Sequence, residues 1–446
     1  MFFLTTKTYE KFLLSDFYTF FCPSATVANN HGATPAPSSS LNLQQIFDVA
    51  NRFTVQIYAQ VKYAFGSNEE GTSSGAGFLI DREKGWILTN AHVAQHSPGP
   101  LEIAFKEHDF HSAKRVYVDP YFDIAIIGVN PNSIPENAKS AELDCHLGAK
   151  IGSEVAAFGH PWGLRFTATR GIVSAFRYTE GYEQLQTDAA LNSGNSGGAL
   201  VDLATGKVIG INTAKLSKKD KKTEGLNFAV PISHVCPIIQ LLNDGKSPLP
   251  PKIEAAFGRR LTTDAVFIAR NGLGGWAALK AGDQIIEVDD GTPVKNPAEL
   301  ITALRGKVGN IPIKVIRKGE TEELEIIISA AKPILGSYGV DVGGILFATP
   351  RRVGASGALD GFYAYIANIE DGSPGSICGA QNWDLLISVD DHLMRSVDDL
   401  YKYLTKSKNN KKVKFVVRRW SRSTYLRVEH FILDCAYDSV KRIEVQ

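Results

Sequence analysis

Thr187-Asp188-Ala189-Ala190-Leu191-Asn192-Ser193-Gly194-Asn195-Ser196-Gly197-Gly198-Ala199-Leu200 sets one serine among glycines. A serine hydroxyl attacks a carbonyl only when a base removes its proton and donors hold the oxyanion that forms. Glycine before the serine lets the backbone turn so that neighbouring amides face one point. The N–H groups of Gly194 and Ser196, with Asn195 between them, are the expected donors. Gly197 and Gly198 leave room for an approaching chain. The pentapeptide 194–198 alone would also suit a surface turn, so its reading is decided upstream.

Upstream, Thr89-Asn90-Ala91-His92-Val93 ends a strand pattern on a histidine, the side chain whose ordinary pKa suits proton exchange near neutrality. Tyr121-Phe122-Asp123-Ile124-Ala125-Ile126-Ile127 places a carboxylate at the start of a run that is apolar on both faces. A half-buried Asp123 there can accept the imidazole Nδ1–H and fix its tautomer. Each residue alone also fits a structural role: a core histidine, a turn-capping aspartate. The ordered set His92, Asp123, Ser196 within one block of short strands is far more specific.

That block begins after a linker-like stretch, 29–40. A short amphipathic helix is expected over 43–52, with Ile46, Phe47 and Ala50 on one side. Val55, Ile57, Ala59, Val61 and Tyr63 then alternate with polar positions, the period of a half-buried strand. Glycine-rich 71–77 is expected to turn the chain into further short strands as far as about Ile232, the pattern of a β-barrel or sandwich.

Bulk properties bound the rest. The 446 residues suggest about three domains. A net charge of +1 gives no strong field toward nucleic acid or anionic membrane, so no nucleic-acid partner is expected. The five cysteines, Cys22, Cys145, Cys236, Cys378 and Cys435, are odd in number and form no CxxC pair. Neither a disulfide framework nor a zinc site is therefore expected. The loose set Glu107, His108, Asp109 and His111 reads as a polar edge, and no metal is expected. The lysine cluster 218–222 reads as a solvated loop tip. Apolar 12–21, following Lys7 and Lys11 and preceding small residues 24–28, has the layout of a secretory signal, with Asp16 as its irregular feature.

The block resembles the trypsin-like serine proteases of the HtrA/Deg family. The matching segments, in family order, are Ser74-Gly75-Ala76-Gly77-Phe78, Thr89-Asn90-Ala91-His92-Val93, Asp123-Ile124-Ala125-Ile126, Phe158-Gly159-His160-Pro161-Trp162-Gly163-Leu164, Thr169-Arg170-Gly171-Ile172-Val173-Ser174, the serine stretch, and Asn227-Phe228-Ala229-Val230-Pro231. The resemblance implies two six-stranded β-barrels with the site between them, His92 as general base, Asp123 as orienting carboxylate and Ser196 as nucleophile. It implies an ATP-independent endopeptidase that degrades unfolded or misfolded proteins in quality control and stress response, with no cofactor, in the periplasm or cell envelope. The family's trimers form through aromatic residues near the start of the protease domain, for which Phe47, Phe53 and Tyr58 are candidates. Ser193 and Ala199 stand where prolines are common in the family.

In this fold Ala190, six before the nucleophile, would floor the first specificity pocket. A charged substrate side chain buried on it would lack a partner, so cleavage after Ala, Val or Ile is expected. Ile211-Asn212-Thr213-Ala214 would be the edge strand that pairs with extended substrate, through Asn212, Thr213 and Ala214.

After a helix near 235–242 and a linker over 245–251, two further units follow. Lys280-Ala281-Gly282-Asp283 and the strand after it resemble a PDZ domain, and the order recurs around Asp384 about 101 residues later. Trp383 stands where the first unit has Gly282, so the second turn is expected to be altered. The expected organisation is a leader and linker over 1–40, a protease domain over 41–247, a PDZ domain over 248–333 and a degenerate PDZ-like domain over 334–446. The fold class is mainly β: a double β-barrel followed by two α+β PDZ-like domains. PDZ units bind C-terminal peptides by strand addition. Phe257 and Gly258 in the first, and Gly344 and Ile345 in the second, mark the candidate carboxylate loops. The competing reading is a chaperone, or a PDZ scaffold or sensor with little turnover.

Overall fold

Asn42 starts the first helix, Leu43–Phe53: its side chain accepts from the Gln45 amide, and the Gln45 side chain caps Asn42 in return. Ile46, Ala50 and Phe53 form the buried face. The strand Thr54–Val61 follows, with Val55, Ile57, Ala59 and Val61 inside and Tyr58 outside, as its period of two requires. These coordinates are a computed structural model, which describes residues 42–61, 63, 65, 71–95, 97, 99–146, 148–160, 166–179, 182–213, 226–260, 263–289, 291–349, 364–406, 412–420 and 428–445. The expected leader 1–40, the loop 218–222, Ala214 and 161–165 lie outside the described residues.

Two closed six-stranded barrels follow. The first runs Thr54–Val61, Gly71–Asp81, Trp86–Thr89, Ala125–Val129, His111–Val118 and Leu101–Phe105 around the wall. The second runs Ala199–Asp202, Val208–Thr213, Asn227–Pro231, Tyr182–Thr187, Thr167–Thr179 and Glu154–Gly159. Closure removes the free edges that so many short strands would otherwise expose. The glycine-rich stretch expected as a turn is itself strand: 71–78 pairs residue by residue with 54–61, from Val61↔Gly71 to Thr54↔Phe78. A cross-strand partner satisfies its backbone, which glycine content alone does not reveal.

A third sheet, in the order Ala256–Arg260, Thr263–Arg270, Gln284–Val288, Gly309–Arg317, Glu320–Ile328, packs the helix Pro297–Ala303. A fourth has the order Val428–Ala436, Lys412–Trp420, Leu385–Val389, Tyr365–Ile369, Ile345–Ala348, Tyr338–Val342, Val440–Glu444 and carries the helix Val397–Lys406. The 101-residue repeat is visible atom by atom. Asp283 accepts from the Lys280 amide and from Arg317 Nε and Nη2, and Arg317 Nη2 also reaches Ala278 O. Asp384 accepts from the Gln381 amide and from Arg419 Nε and Nη2, and Arg419 Nη2 also reaches Gly379 O. The second turn is not altered as expected. Trp383 takes φ 75° where Gly282 has φ 94°, and its N–H donates to Ile366 O as that of Gly282 does to Ile268 O. A ring stack on Tyr365, centroids 5.2 Å apart, accompanies that left-handed backbone.

Three more expectations are corrected. Disulfides join Cys145 to Cys236 and Cys378 to Cys435. Their partners lie 91 and 57 residues apart, so local spacing carried no sign of them. Residues 245–251 are not a loose tether: Pro248, Pro250 and Pro251 are buried, and the carbonyls of Pro248, Leu249 and Pro250 accept from Arg305, Gly306 and Ala331. Of the aromatic residues expected at a subunit contact, Phe53 is 2% exposed inside the first barrel and Phe47 packs edge-on to Phe158 of the second. Tyr58 stays on the surface beside Phe110.

Candidate active site

Each part of the site stands where a barrel strand ends. Trp86–Thr89 ends at Asn90, and the short helix Ala91–Ala94 then presents His92. The strand Ala125–Val129 pairs with Trp86–Thr89, Thr89 opposite Ala125, which sets Asp123 beside the histidine. His92 Nδ1 lies 2.6 Å from Asp123 Oδ2, and the His92 backbone N–H donates to Asp123 Oδ1 at 2.9 Å. Asn90 Nδ2 holds the Asp123 carbonyl at 2.9 Å. The carboxylate is an acceptor only, so Nδ1 carries the proton and Nε2 is left as the basic nitrogen.

Ser196 comes from the second barrel, in the turn before Ala199–Asp202. Its carbonyl accepts from the Ala76 amide of the first barrel at 2.8 Å, and Thr89 Oγ1 donates to the Ala76 carbonyl at 2.7 Å. Gly197 sits against the same pair. At φ 86°, a Cβ there would lie 2.1 Å from Ala76 O and 2.2 Å from Thr89 Oγ1. The serine turn is thus clamped onto the end of the strand that delivers His92, which brings all three expected residues to one junction between the barrels.

The expected oxyanion donors divide. Gly194, at φ 101°, gives its carbonyl to the His160 amide at 3.1 Å. The Asn195 N–H does not face outward as expected: it donates to Asn192 O at 2.9 Å, which closes the turn. Gly159 lies behind this turn, where a Cβ would meet Asn195 Cα at 2.7 Å.

Of the substrate-contact residues, Ala190 is exposed, and its carbonyl accepts from Thr169 Oγ1 at 2.8 Å. Asn212 is corrected. It is fully buried, and its backbone N–H and C=O bond Gly198 O and Gly197 N at 2.8 Å each. Its side chain holds Phe158 O and Ala199 O. The strand Val208–Thr213 has partners on both sides here, so a substrate strand cannot add at Asn212. Thr213 is turned to the site differently, with Oγ1 donating to Asp123 Oδ2 at 3.4 Å. Sequence reading missed that contact because a threonine ninety residues from an aspartate gives no local signal.

In the third sheet, Gly258 lies on the edge strand Ala256–Arg260, which pairs only with Thr263–Arg270 among the described residues. Phe257 packs toward Trp276 at 6.4 Å. In the fourth sheet the expected loop fails as a peptide edge. Ile345–Ala348 is paired on both sides, by Tyr338–Val342 and Tyr365–Ile369. The chain's own Val440–Glu444 then covers Tyr338–Val342. Ile345 is fully buried, and the Gly344 N–H faces Asp341 Oδ1. Among the described residues no cluster of His, Cys, Asp and Glu has metal-binding form.

Residues 75–211 match the family described as trypsin-like peptidase domain. The chain is similar to the periplasmic serine endoprotease DegP of Escherichia coli K12, 28% identical over 419 residues, covering 86% of this chain and 85% of that protein. It is also similar to DegP of Salmonella typhimurium, 30% identical over 365 residues and 76% and 73% of the two chains. A solved structure of the HtrA-type protease AlgW with a tripeptide aligns at TM-score 0.52 and 26% identity, over 65% of this chain and 97% of that one.

Proposed function

Since this chain belongs to the HtrA/Deg family of serine proteases, we propose that His92, Asp123 and Ser196 form its catalytic triad. The observation that carries the proposal is the His92–Asp123 pair at 2.6 Å, beside a serine turn clamped to the same strand end. Asp123 holds the Nδ1–H tautomer, His92 Nε2 takes the Ser196 proton, and Oγ attacks the peptide carbonyl. The amides of Gly194 and Ser196 receive the oxyanion. His92 returns the proton to the leaving amine, and water hydrolyses the acyl-enzyme by the reverse sequence. None of these steps uses ATP or a cofactor.

The substrates are unfolded or misfolded polypeptides, which alone offer an extended backbone, and the role is protein quality control under stress. The small, uncharged side chain of Ala190 supports cleavage after Ala, Val or Ile. The domains are 41–247 for the protease, 248–333 for a PDZ unit and 334–446 for a PDZ-like unit. The first PDZ unit takes C-terminal peptides along the edge strand bearing Gly258. The assembly is a homotrimer or larger homo-oligomer, with Tyr58 as the remaining surface candidate at its contact. The compartment is the periplasm or cell envelope, supported by the names of the relatives and by two disulfides, which persist in oxidising surroundings.

A fluorophosphonate label followed by mass spectrometry tests the core of this reading. Modification is expected at Ser196, with casein degradation lost in Ser196→Ala. Casein turnover surviving that substitution, or label on another residue, would remove Ser196 from the role.

A further inference from the structure

Arg305 follows the helix Pro297–Ala303 of the third sheet, yet its side chain ends beneath the first barrel. Both Arg305 and its partner Asp119 have fully buried side chains. Arg305 Nη1 shares its two protons among Asp119 Oδ2 at 2.7 Å, the Pro248 carbonyl at 2.7 Å and Tyr117 Oη at 2.9 Å. Tyr117 Oη in turn donates to Asp119 Oδ2 at 2.7 Å. Burial alone would lower the Arg305 pKa, but the Asp119 carboxylate and the bonds to Asp119 and Tyr117 outweigh it and raise the pKa, so the guanidinium stays charged.

Asp119 opens the loop that carries Asp123. Its second oxygen, Oδ1, accepts from the Tyr121 and Phe122 amides at 2.8 and 2.7 Å. Its N–H donates to Ile124 O at 2.9 Å, which closes the loop across Asp123. The helix reaches this loop by a second route. The Phe122 ring lies 5.4 Å from the Arg305 guanidinium and 5.0 Å from the His234 ring. His234 Nδ1 is 3.0 Å from Thr302 Oγ1 on the helix, and His234 Nε2 is 3.1 Å from Glu183. Ala298 and Ile301 complete the contact within the barrel core.

We propose that Arg305 is a positioning residue for proteolysis: through Asp119 it fixes the loop that presents Asp123 to His92, so that docking of the third-sheet unit completes the catalytic pair. This rests on the triad reading above. Withdrawal of the unit would break the bonds of Arg305 to Asp119 and Tyr117 and part Phe122 from the helix end. Its docked position and the order of the Asp123 loop therefore change together.

The test uses the full chain with Arg305→Met, Arg305→Lys and the double variant Arg305→Met with Asp119→Asn. The readouts are the rate of Ser196 labelling, kcat and KM on an unstructured peptide, and the downfield proton signal of an imidazole N–H held by a carboxylate. Arg305→Met should lower kcat and labelling rate between about ten- and a hundredfold, as small misplacements of catalytic groups do. KM should stay within about twofold, because no substrate contact is touched, and the downfield signal should broaden or vanish. Arg305→Lys keeps the charge that faces Asp119 but ends one bond short of the Nη1 position, so it should restore part of the rate lost in Arg305→Met. The double variant leaves no buried charge unpaired and should regain thermal stability without regaining kcat. Wild-type kcat in Arg305→Met overturns the proposal. So does a double variant that recovers stability and rate together, or a lysine variant as slow as the methionine one. If Arg305→Met does not fold, the lysine and double variants decide by these same criteria. A wild-type chain that Ser196 labelling leaves untouched removes the triad reading instead, and this inference with it.

Discussion

At the scale of single residues, the site is set by where atoms have no room to move. Gly197 is the sharpest case, since any side chain there would overlap the carbonyl of Ala76, the residue whose amide anchors the turn. Gly197→Ala should therefore abolish Ser196 labelling and lower thermal stability, and a fully active alanine variant would contradict the clamp. Asp123→Asn keeps the shape but offers Nδ1 a donor where it needs an acceptor. A kcat loss of about a thousandfold or more is expected from the wrong tautomer, read by peptide hydrolysis with unchanged KM. Thr213 gives Asp123 a further bond. Asn195 and Asn212 carry different weight from the one their types suggested: both spend their amides on closing the turn and the barrel.

At the scale of elements, the paired Asp–Arg constellations show why the third and fourth sheets share a plan. In each, an aspartate at a turn collects an amide from one side and a guanidinium from a strand 34 or 35 residues on. Burial raises the affinity of Asp283 for a proton, but the bonds from Arg317 and the Lys280 amide outweigh it and hold its pKa below the ordinary carboxylate value. A carboxyl depressed on folding contributes stability above its unfolded pKa and loses it as pH falls through the folded one. Asp283→Asn should thus lower the melting temperature at neutral pH, and the gap to wild type should close in acid, below about pH 4. A gap that persists unchanged at low pH would mean that the charge is not what Asp283 contributes. The fourth sheet keeps the same turn but differs at its edge, where Val440–Glu444 lies outside Tyr338–Val342. C-terminal peptides should accordingly bind at one site per chain, measured by titration calorimetry. Two equivalent sites would show that the covering strands yield.

At the scale of the whole molecule, the protease barrels and the sheets after them are locked together. Tyr63 and Phe65, which follow the first strand, pack with Leu346, Tyr365 and Leu385 of the fourth sheet, and the Phe65 amide donates to Ser97 Oγ beyond the His92 helix. Arg305, after the helix packed on the third sheet, bonds the Asp119 carboxylate that opens the Asp123 loop. Cys145–Cys236 ties the segment between the barrels to the helix Cys236–Asn243. Replacing both cysteines by serine should cost about 2–4 kcal/mol of stability, seen as a lower denaturation midpoint. An unchanged midpoint would mean that the bridge constrains nothing.

The mainly β character of the chain and the repeat centred on Asp283 and Asp384 were legible in the sequence from local pattern, period-two alternation and a turn that needs an aspartate, and the double barrel from the family resemblance of its motifs. What the sequence hid is what depends on partners distant along the chain. The two disulfides, the Thr213 and Arg305 contacts, the buried Asn212 and the covered edge of the fourth sheet are each made by residues far apart in the chain, whereas the Asn195 N–H turns inward to Asn192 within its own turn. Local composition dictates which element a segment forms, but only the closed barrels and docked sheets decide which polar groups remain open to substrate. The physical reason is that a hydrogen bond needs both of its ends in place, and one stretch of sequence supplies a single end.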